Sequence, residues 1–539
     1  MSVLTTDDAP PHDDAGAVPR IAARWLALAA ATASALTLLV TRITHAAVGT
    51  DAVAYIAVAT SIDDGHGIEF WLERPLTTWP PLWPAVLAAG MRLTGWRGDV
   101  VGVFVNAAMV AGCVLFGVAV ARRVLRRTWV LGLLTASIAV SPLLVGLSAL
   151  VQTEVVFAML TLAILWSFLR WCEQSDGRAG ATVGVLWLIL GGLLTSVGFY
   201  VRYQAIYVVP VFAGWLVLRT FWRTRGVLRS LLPACWYTLP ALVPSGLWIL
   251  RNLRTSDTAM GPRFPSNVGP AENLAGALRT SFKFVTSIPE APLLPAAAFT
   301  LVAGVVALVA LVRTTRPAGG EPGLAVRTAE AFCGPVGLVA TFVGGFTTLM
   351  VVSRSIVGFD DLDIRLLAPC LIPTSILFLR YAEIVLLDVE RRARWGKVLL
   401  GVWFVPQVVL TLALVGPANS IIAEFGYNAD RAVAASTSPA LDALPEGCTL
   451  YSNNAADLYR SGVEAYISPR HVEYKSSQRT HMLEDLVRDV EGGEPSCLAW
   501  VEYIEDDEVV SVAELSEVLE LERLASADDV TVYVLHPRR

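Results

Sequence analysis

Charge is scarce in this sequence: Asp, Glu, Lys and Arg fill only 16% of 539 positions, against 55% hydrophobic residues. That shortage excludes an ordinary soluble globule, which needs more charge to cover its surface, and mean hydropathy is +0.57. Cysteine offers no metal or redox framework either. The seven cysteines are scattered, with no CxxC and no His/Cys cluster of metal-ligand spacing. Cys113, Cys172, Cys235, Cys333 and Cys370 lie in or beside apolar runs, where Cys acts as a small hydrophobe. Cys448 and Cys497 each open a predicted strand, and geometry decides whether they pair. There is no internal repeat and no hydropathy symmetry between the two halves.

Long apolar runs fill the space left by charge. They recur near 21–41, 99–121, 129–149, 151–170, 181–200, 204–222, 231–250, 292–312, 329–352, 366–388 and 397–416. Each has about the 20 residues that cross a ~30 Å hydrocarbon core. The sequence thus predicts a polytopic α-helical membrane protein of about eleven spans. Basic loops test the topology, because cytoplasmic loops collect Arg and Lys. Arg122, Arg123, Arg126 and Arg127 form one cluster; Arg219, Arg223, Arg225 and Arg229 a second. Arg313, Arg316 and Arg327 form a third, and Arg391, Arg392, Arg394 and Lys397 a fourth. With the N-terminus in the cytoplasm, all four fall inside. The apolar stretch Leu82–Met91 is too short to span and would throw the first cluster outside. It reads as a helix at the outer face, led by Pro80-Pro81, since proline suits a helix start.

Three regions follow. Residues 1–19, polar and acidic, are expected to be a disordered cytoplasmic tail. Residues 20–417 form the membrane region, with a large first external loop at 42–98. Residues 418–539, rich in Asp, Glu and Ser, read as a soluble extracytoplasmic α/β domain. There, Thr449–Ser452, Ala465–Ser468, Leu498–Tyr503 and Val530–Leu535 look like strands, and Ala455–Arg460, His481–Val490 and Val512–Leu524 like helices. This alternation predicts a largely parallel sheet.

Ionisable groups avoid the span centres and gather at external span ends and loops. The first loop supplies Asp51, Tyr55, Asp63, Asp64 and His66; later span ends supply Glu154, Arg202, Tyr203, Arg251, Asn252 and Arg365, with Arg263 in the loop beyond. Arginine's rigid fork of donors matches phosphate oxygens, so external arginines that defy the inside bias point to an anionic ligand. A neighbouring carboxylate is a candidate general base. Taken singly, each residue has a plainer role. A span-end Arg anchors in headgroups, Asp51 or Glu154 caps a helix, and His66 sits in a Gly65-His66-Gly67 turn.

The ordered set is more specific than its members. Asp51-Ala52-Val53-Ala54-Tyr55 follows the first span, then come Trp79-Pro80-Pro81-Leu82-Trp83-Pro84, Gln152-Thr153-Glu154, Arg202-Tyr203, the Trp248–Asn252 run and Asp363-Ile364-Arg365-Leu366-Leu367-Ala368-Pro369. This series, covering most of residues 20–420, resembles the GT-C superfamily of integral membrane glycosyltransferases. It is most similar to the bacterial branch near protein mannosyltransferases and lipid A aminoarabinose transferases. The resemblance implies an inverting transfer from a polyprenyl-phosphate-linked sugar to an extracytoplasmic lipid, cell-envelope glycan or protein. Asp51 would be the catalytic base, and Arg251, Arg365, Arg202 and Arg263 the ligands of the donor phosphate. Tyr55, Asp63, Asp64, His66, Glu154, Tyr203 and Asn252 would support or contact substrate. The mannosyltransferases carry an Asp-Glu pair where this chain has Asp51-Ala52, which favours the broader bacterial branch. No cofactor is implied, a divalent metal is not indicated, and membrane lipids rather than nucleic acid are the expected partners. A plasma-membrane location follows. The rival classes are a secondary transporter, which ordinarily shows repeats and midplane charges, and a non-catalytic scaffold with an external binding domain.

Overall fold

The computed structural model describes residues 20–44, 50–70, 72, 74–175, 181–288, 292–293, 298, 324–387, 390–415, 430–504 and 506–538. The expected tail at 1–19, nearly all of the expected span at 292–312, and the join near 417 lie outside the described residues. In chain order the membrane region contains α1 (Ala23–Thr44), α2 (Thr50–Asp63), the short pair β1 (Glu69–Phe70) and β2 (Arg74–Pro75), α3 (Leu82–Thr94), α4 (Gly98–Ala121), α5 (Thr128–Ala139) and α6 (Pro142–Ala149). It continues through α7 (Glu154–Ser175), α8 (Ala181–Val201), α9 (Val208–Thr224), α10 (Val227–Ser256), α11 (Pro270–Thr286), α12 (Leu324–Cys333), α13 (Pro335–Ile356), α14 (Leu371–Ala382) and α15 (Glu390–Val415).

Among the described residues, nine helical stretches are long and apolar enough to cross a membrane. They match nine of the expected runs, so the chain is a multi-pass membrane protein. The run at 129–149 is two helices, α5 and α6. Ser141 breaks it by accepting the Leu144 amide at 3.3 Å, with Pro142 opening α6. The run at 231–250 is the middle of α10, whose 30 residues extend about 45 Å. Its buried residues Ser230, Ala234, Tyr237, Ala241, Ser245, Trp248 and Asn252 recur every three or four positions, so they form one stripe. Leu228, Leu232, Leu239, Val243 and Leu247 are exposed on the other side, as expected of a surface that meets lipid. Leu82–Met91 lies in α3, which buries Trp83, Leu87 and Ala88 and ends at Gly95, whose left-handed backbone (φ 70°) lets its amide close on Met91 O.

The two ends of the bundle differ chemically. At one end the Glu383 carboxylate accepts the backbone amides of Arg126 (3.0 Å) and Arg127 (2.8 Å) and pairs with Arg380, while Arg123 pairs with Glu173. The start of α7, the end of α8 and the turn before α14 meet at the opposite end.

Residues 430–538 contain α16 (Asp430–Ser436), β3 (Thr449–Ser452), α17 (Ala455–Tyr459), β4 (Tyr466–Ile467), α18 (Met482–Glu491), β5 (Ser496–Val501), α19 (Val512–Val518), β6 (Leu519–Ala527) and β7 (Val530–Pro537). The five-stranded sheet has the order β4-β3-β5-β7-β6. Strands β4, β3 and β5 are parallel, but β7 pairs antiparallel with both β5 and β6, so the sheet is mixed rather than largely parallel. The difference traces to the expected helix at 512–524, which stops at Val518. Beyond it, Leu519-Glu520-Leu521-Glu522 alternates apolar and charged side chains, a period of two that suits a strand. A disulfide joins Cys448 to Cys497, with Cα atoms 6.0 Å apart, tying the residue before β3 to β5.

Candidate active site

Asp51 stands in the first turn of α2, where the helix dipole favours a carboxylate. Its Oδ2 accepts from Arg365 Nη2 at 2.9 Å, and its Oδ1 from Trp79 Nε1 at 3.2 Å. Arg365 lies in the turn before α14, and that turn is built by Asp363, whose Oδ1 accepts the amides of Arg365 (2.9 Å) and Leu366 (3.1 Å). The same guanidinium donates through Nε to Glu154 Oε1 at 3.2 Å and faces Asp360 Oδ2 at 3.9 Å. Glu154, 1% exposed at the start of α7, also pairs with Arg202 at 2.9 Å. Arg202 follows α8 directly and donates further to Thr153 Oγ1 (3.0 Å) and Gln204 Oε1 (3.1 Å). Tyr55, one turn beyond Asp51, is buried against Trp79, ring edge to face at 6.3 Å.

Three carboxylates thus face two guanidinia. Loss of water around Asp51 raises its pKa above the usual aspartate value; Arg365 opposes the rise, and Asp360 and Glu154 add to it. Burial disfavours the charge on Arg365, but Glu154, Asp51 and Asp360 outweigh it, so Arg365 holds its proton more tightly than an ordinary arginine. Glu154 Oε2 is buried with no hydrogen-bond partner among the described residues.

A second cluster adjoins the first. Tyr203 donates to Thr77 O at 2.8 Å and accepts from Trp248 Nε1 (2.9 Å) and Asn252 Nδ2 (3.1 Å). Arg251 donates to Leu76 O (2.6 Å) and Asn252 Oδ1 (3.1 Å), and its guanidinium lies 4.8 Å from the Trp248 ring centre. Leu76 to Trp79 therefore links the clusters, a backbone stretch of at most about 10 Å. Neither Arg251 nor the exposed Arg263 has a carboxylate within ion-pair distance among the described residues.

The structure thus brings together Asp51, Tyr55, Glu154, Arg202 and Arg365, with Tyr203, Arg251 and Asn252 in the adjoining layer. It does not bring in Asp63, Asp64 or His66, expected beside them. These sit at the far end of α2, about 18 Å along the helix from Asp51; Asp63 pairs with Arg92 at 3.6 Å, and Asp64 and His66 are exposed in the following turn. The first loop folds as a helix running away from the cluster, so closeness in sequence did not become closeness in space. Arg202 and Arg365, expected as ligands of the donor phosphate, are paired with carboxylates. Trp79 lay within a segment of interest but gave no sign of its partners, and Asp360, three residues before another such segment, was not singled out. No group of three or more His, Cys, Asp or Glu side chains among the described residues could hold a metal ion.

Known proteins resemble this architecture. The profile of the family described as dolichyl-phosphate-mannose-protein mannosyltransferase matches residues 78–248, a stretch that holds Trp79, Glu154, Arg202 and Tyr203. No curated protein matches the sequence. Among solved structures, ArnT from Cupriavidus metallidurans bound to undecaprenyl phosphate aligns over 95% of this chain and 98% of its own, at 12% identity and TM-score 0.57. The archaeal oligosaccharyltransferase AglB from Archaeoglobus fulgidus, in complex with an inhibitory peptide and a dolichol-phosphate, aligns over 88% of this chain and 69% of its own, at 11% identity and TM-score 0.55. The mycobacterial arabinofuranosyltransferase AftD aligns over 97% of this chain and 40% of its own, at 13% identity and TM-score 0.50. At these identities the likeness is one of fold: the chain shares the fold of these solved proteins, and the family match covers less than half of it.

Proposed function

We propose that the chain is an inverting glycosyltransferase that moves a sugar from a polyprenyl-phosphate donor to an extracytoplasmic lipid, cell-envelope glycan or protein. The observation that carries this reading is the Asp51 carboxylate, raised in pKa yet held by Arg365 at 2.9 Å and Trp79 at 3.2 Å. A base must be both basic and fixed in place, and this arrangement supplies both. The acceptor oxygen attacks the anomeric carbon as its proton passes to Asp51. The bond from that carbon to the phosphate oxygen breaks on the opposite face, leaving polyprenyl phosphate.

The leaving phosphate gathers negative charge and needs preorganised cations. Arg251 and Arg263 are the better suited, because no described carboxylate occupies them. Arg365 and Arg202 sit among three carboxylates, a group one negative charge in excess, and their part is to hold Asp51 and Glu154. The membrane region would run from 20 to 417, with the N-terminus in the cytoplasm and residues 418–539 outside. The arginine-rich loops at the opposite end of the bundle support that orientation. So does the Cys448–Cys497 disulfide, since such bonds persist in oxidising compartments.

The test is mass spectrometry of envelope glycans from a host strain deleted for this gene and re-expressing wild type or Asp51→Asn. The deletion and the variant should lack the same glycosyl unit. Wild-type glycans from correctly inserted Asp51→Asn protein would remove Asp51 as the base.

A further inference from the structure

Residues outside the membrane region reach the acid–arginine cluster. Val472 bridges Arg479, and the Glu473 amide donates to Gln478 O at 2.8 Å, so residues 472–479 form a small hairpin. Its tip is seated against two segments of the membrane region. Ser476 bridges Ser266, the Asn267 amide donates to Lys475 O at 3.4 Å, and a Cβ on Gly358 would lie 2.5 Å from Lys475 O. The seat itself is rigid. Arg354, fully buried at the end of α13, bonds Ser266, Asn267 and Asp361 together. Lys475 Nζ adds an ion pair to Asp361 at 3.4 Å.

From this tip the Tyr474 hydroxyl donates to Asp360 Oδ1 at 2.6 Å. The other oxygen of that carboxylate is 3.9 Å from Arg365 Nη1, too long for a charged hydrogen bond, which forms near 2.7–2.9 Å. Resting on the glycosyltransferase reading above, we infer that Tyr474 is a positioning residue: it holds Asp360 back from Arg365 and so leaves that guanidinium to Asp51 and Glu154. Loss of water, then the Asp360 charge, raise the Tyr474 pKa, which keeps the hydroxyl a donor. Without it, Asp360 is released to close on Nη1 and compete with Asp51 for the same positive charge. Asp51, which also faces Glu154, Arg202, Tyr55, Trp79 and Tyr474, would then hold its proton to higher pH.

The experiment uses membranes from the deletion host carrying the full-length chain, so that endogenous donor and acceptor serve as substrates. The rate of appearance of the missing glycosyl unit is followed by mass spectrometry across pH 4–8. Tyr474→Phe should move the acidic limb to higher pH without lowering the plateau, because a more basic Asp51 takes the acceptor proton at least as readily. Lys475→Ala, which removes one contact of the seat but leaves the Tyr474–Asp360 bond itself, should keep the wild-type limb. Docking is checked with a Ser266→Cys, Ser476→Cys pair, at two positions that already bridge, whose crosslinking yield should be the same with Tyr or Phe at position 474. A wild-type rate and limb in Tyr474→Phe would overturn the inference. So would a pH-independent loss of rate accompanied by a fall in crosslinking, which marks Tyr474 as merely structural. Asp51→Asn separates the two readings. If it is inactive while Tyr474→Phe is normal, only the role of Tyr474 fails; if it is fully active, the assignment of the base fails.

Discussion

Glu154→Gln is the most informative single change at the site, because structure predicts effects on stability and on pH response together. The wild-type carboxylate is 1% exposed and bonded to Arg202 at 2.9 Å and Arg365 at 3.2 Å, themselves 15% and 23% exposed. Breaking a buried ion pair by removing one partner costs about 3–5 kcal/mol. Glutamine keeps the shape and one acceptor oxygen, so the lower end, about 3 kcal/mol, applies. Screening reduces this little, since both arginines are mostly buried. The charge of Glu154 also raises the Asp51 pKa, so its removal lowers it. A base works only when ionised, so the rate rises with pH through the Asp51 pKa. Glu154→Gln should move that acidic limb to lower pH while the plateau falls, because a weaker base takes the acceptor proton less readily. Unfolding in bicelles by added SDS, followed by tryptophan fluorescence, reads the first effect; the glycosyl-transfer rate in membranes against pH reads the second. A variant as stable as wild type, or a limb that moves upward, would refute the argument.

Arg251→Gln should weaken undecaprenyl phosphate binding to the purified protein about tenfold, whereas Arg365→Gln should stop turnover and leave that binding within about threefold. The reverse pattern would return the phosphate to Arg365. Thiol alkylation followed by mass spectrometry should leave Cys448 and Cys497 unlabelled until a reductant is added. Replacing both with serine should cost residues 430–538 about 4 kcal/mol, from the loop closed across 49 positions; prompt labelling without reductant would disprove the bond. Gly192→Ala places a Cβ 2.3 Å from Tyr237 O, where α8 meets α10. It should destabilise the bundle by about 1–3 kcal/mol in the same SDS assay, and an unchanged midpoint would show the helices are not so close.

Helix positions in the membrane were legible because one physical requirement, a run of about 20 apolar residues, dominates there. The break at Ser141 was missed because the apolar run continues on both sides of it, although Ser141-Pro142 is itself a helix-start signal. Asp51, Glu154 and Arg365 stood out because charged residues at span ends are few, and the spans' alternating direction carries those ends to one side. Which of them touch was not legible. Arg202 and Arg251 both end a span, yet one meets a carboxylate and the other a backbone carbonyl. Helix rotation about its axis decides this, and sequence spacing fixes rotation only for residues on the same helix. Asp63 and His66 lie apart from the cluster for the complementary reason: the length of α2 separates them from Asp51. In residues 430–538, Val512, Leu515 and Leu519 fit a helix, but Leu519 and Leu521 fit a strand equally well, and only pairing with β7 settles it. Tyr474 left no trace at all, since its role depends on a hairpin meeting Asp360, 114 positions away.

The distribution of charge carries the last step. A pocket built to hold a phosphate dianion would present arginines with their donors unused, yet Arg365 and Arg202 spend theirs on Asp51, Glu154, Thr153 and Gln204. A pocket built to take a proton needs a carboxylate that stays ionised near neutral pH but keeps a raised affinity for protons. Removing water and adding neighbouring carboxylates raises that affinity, while a fixed guanidinium keeps the rise in check. Asp51 has all three influences acting on it, and the charged groups come from the start of α7, the residue after α8 and the turn before α14. In the proposed reaction phosphate recognition is assigned to the adjoining layer, where Arg251 is oriented by Leu76 O, Asn252 and Trp248 and bonded to no described carboxylate. On that proposal, separating the two tasks by the short Leu76–Trp79 stretch would let one site bind an anion and deprotonate a hydroxyl without either charge neutralising the other.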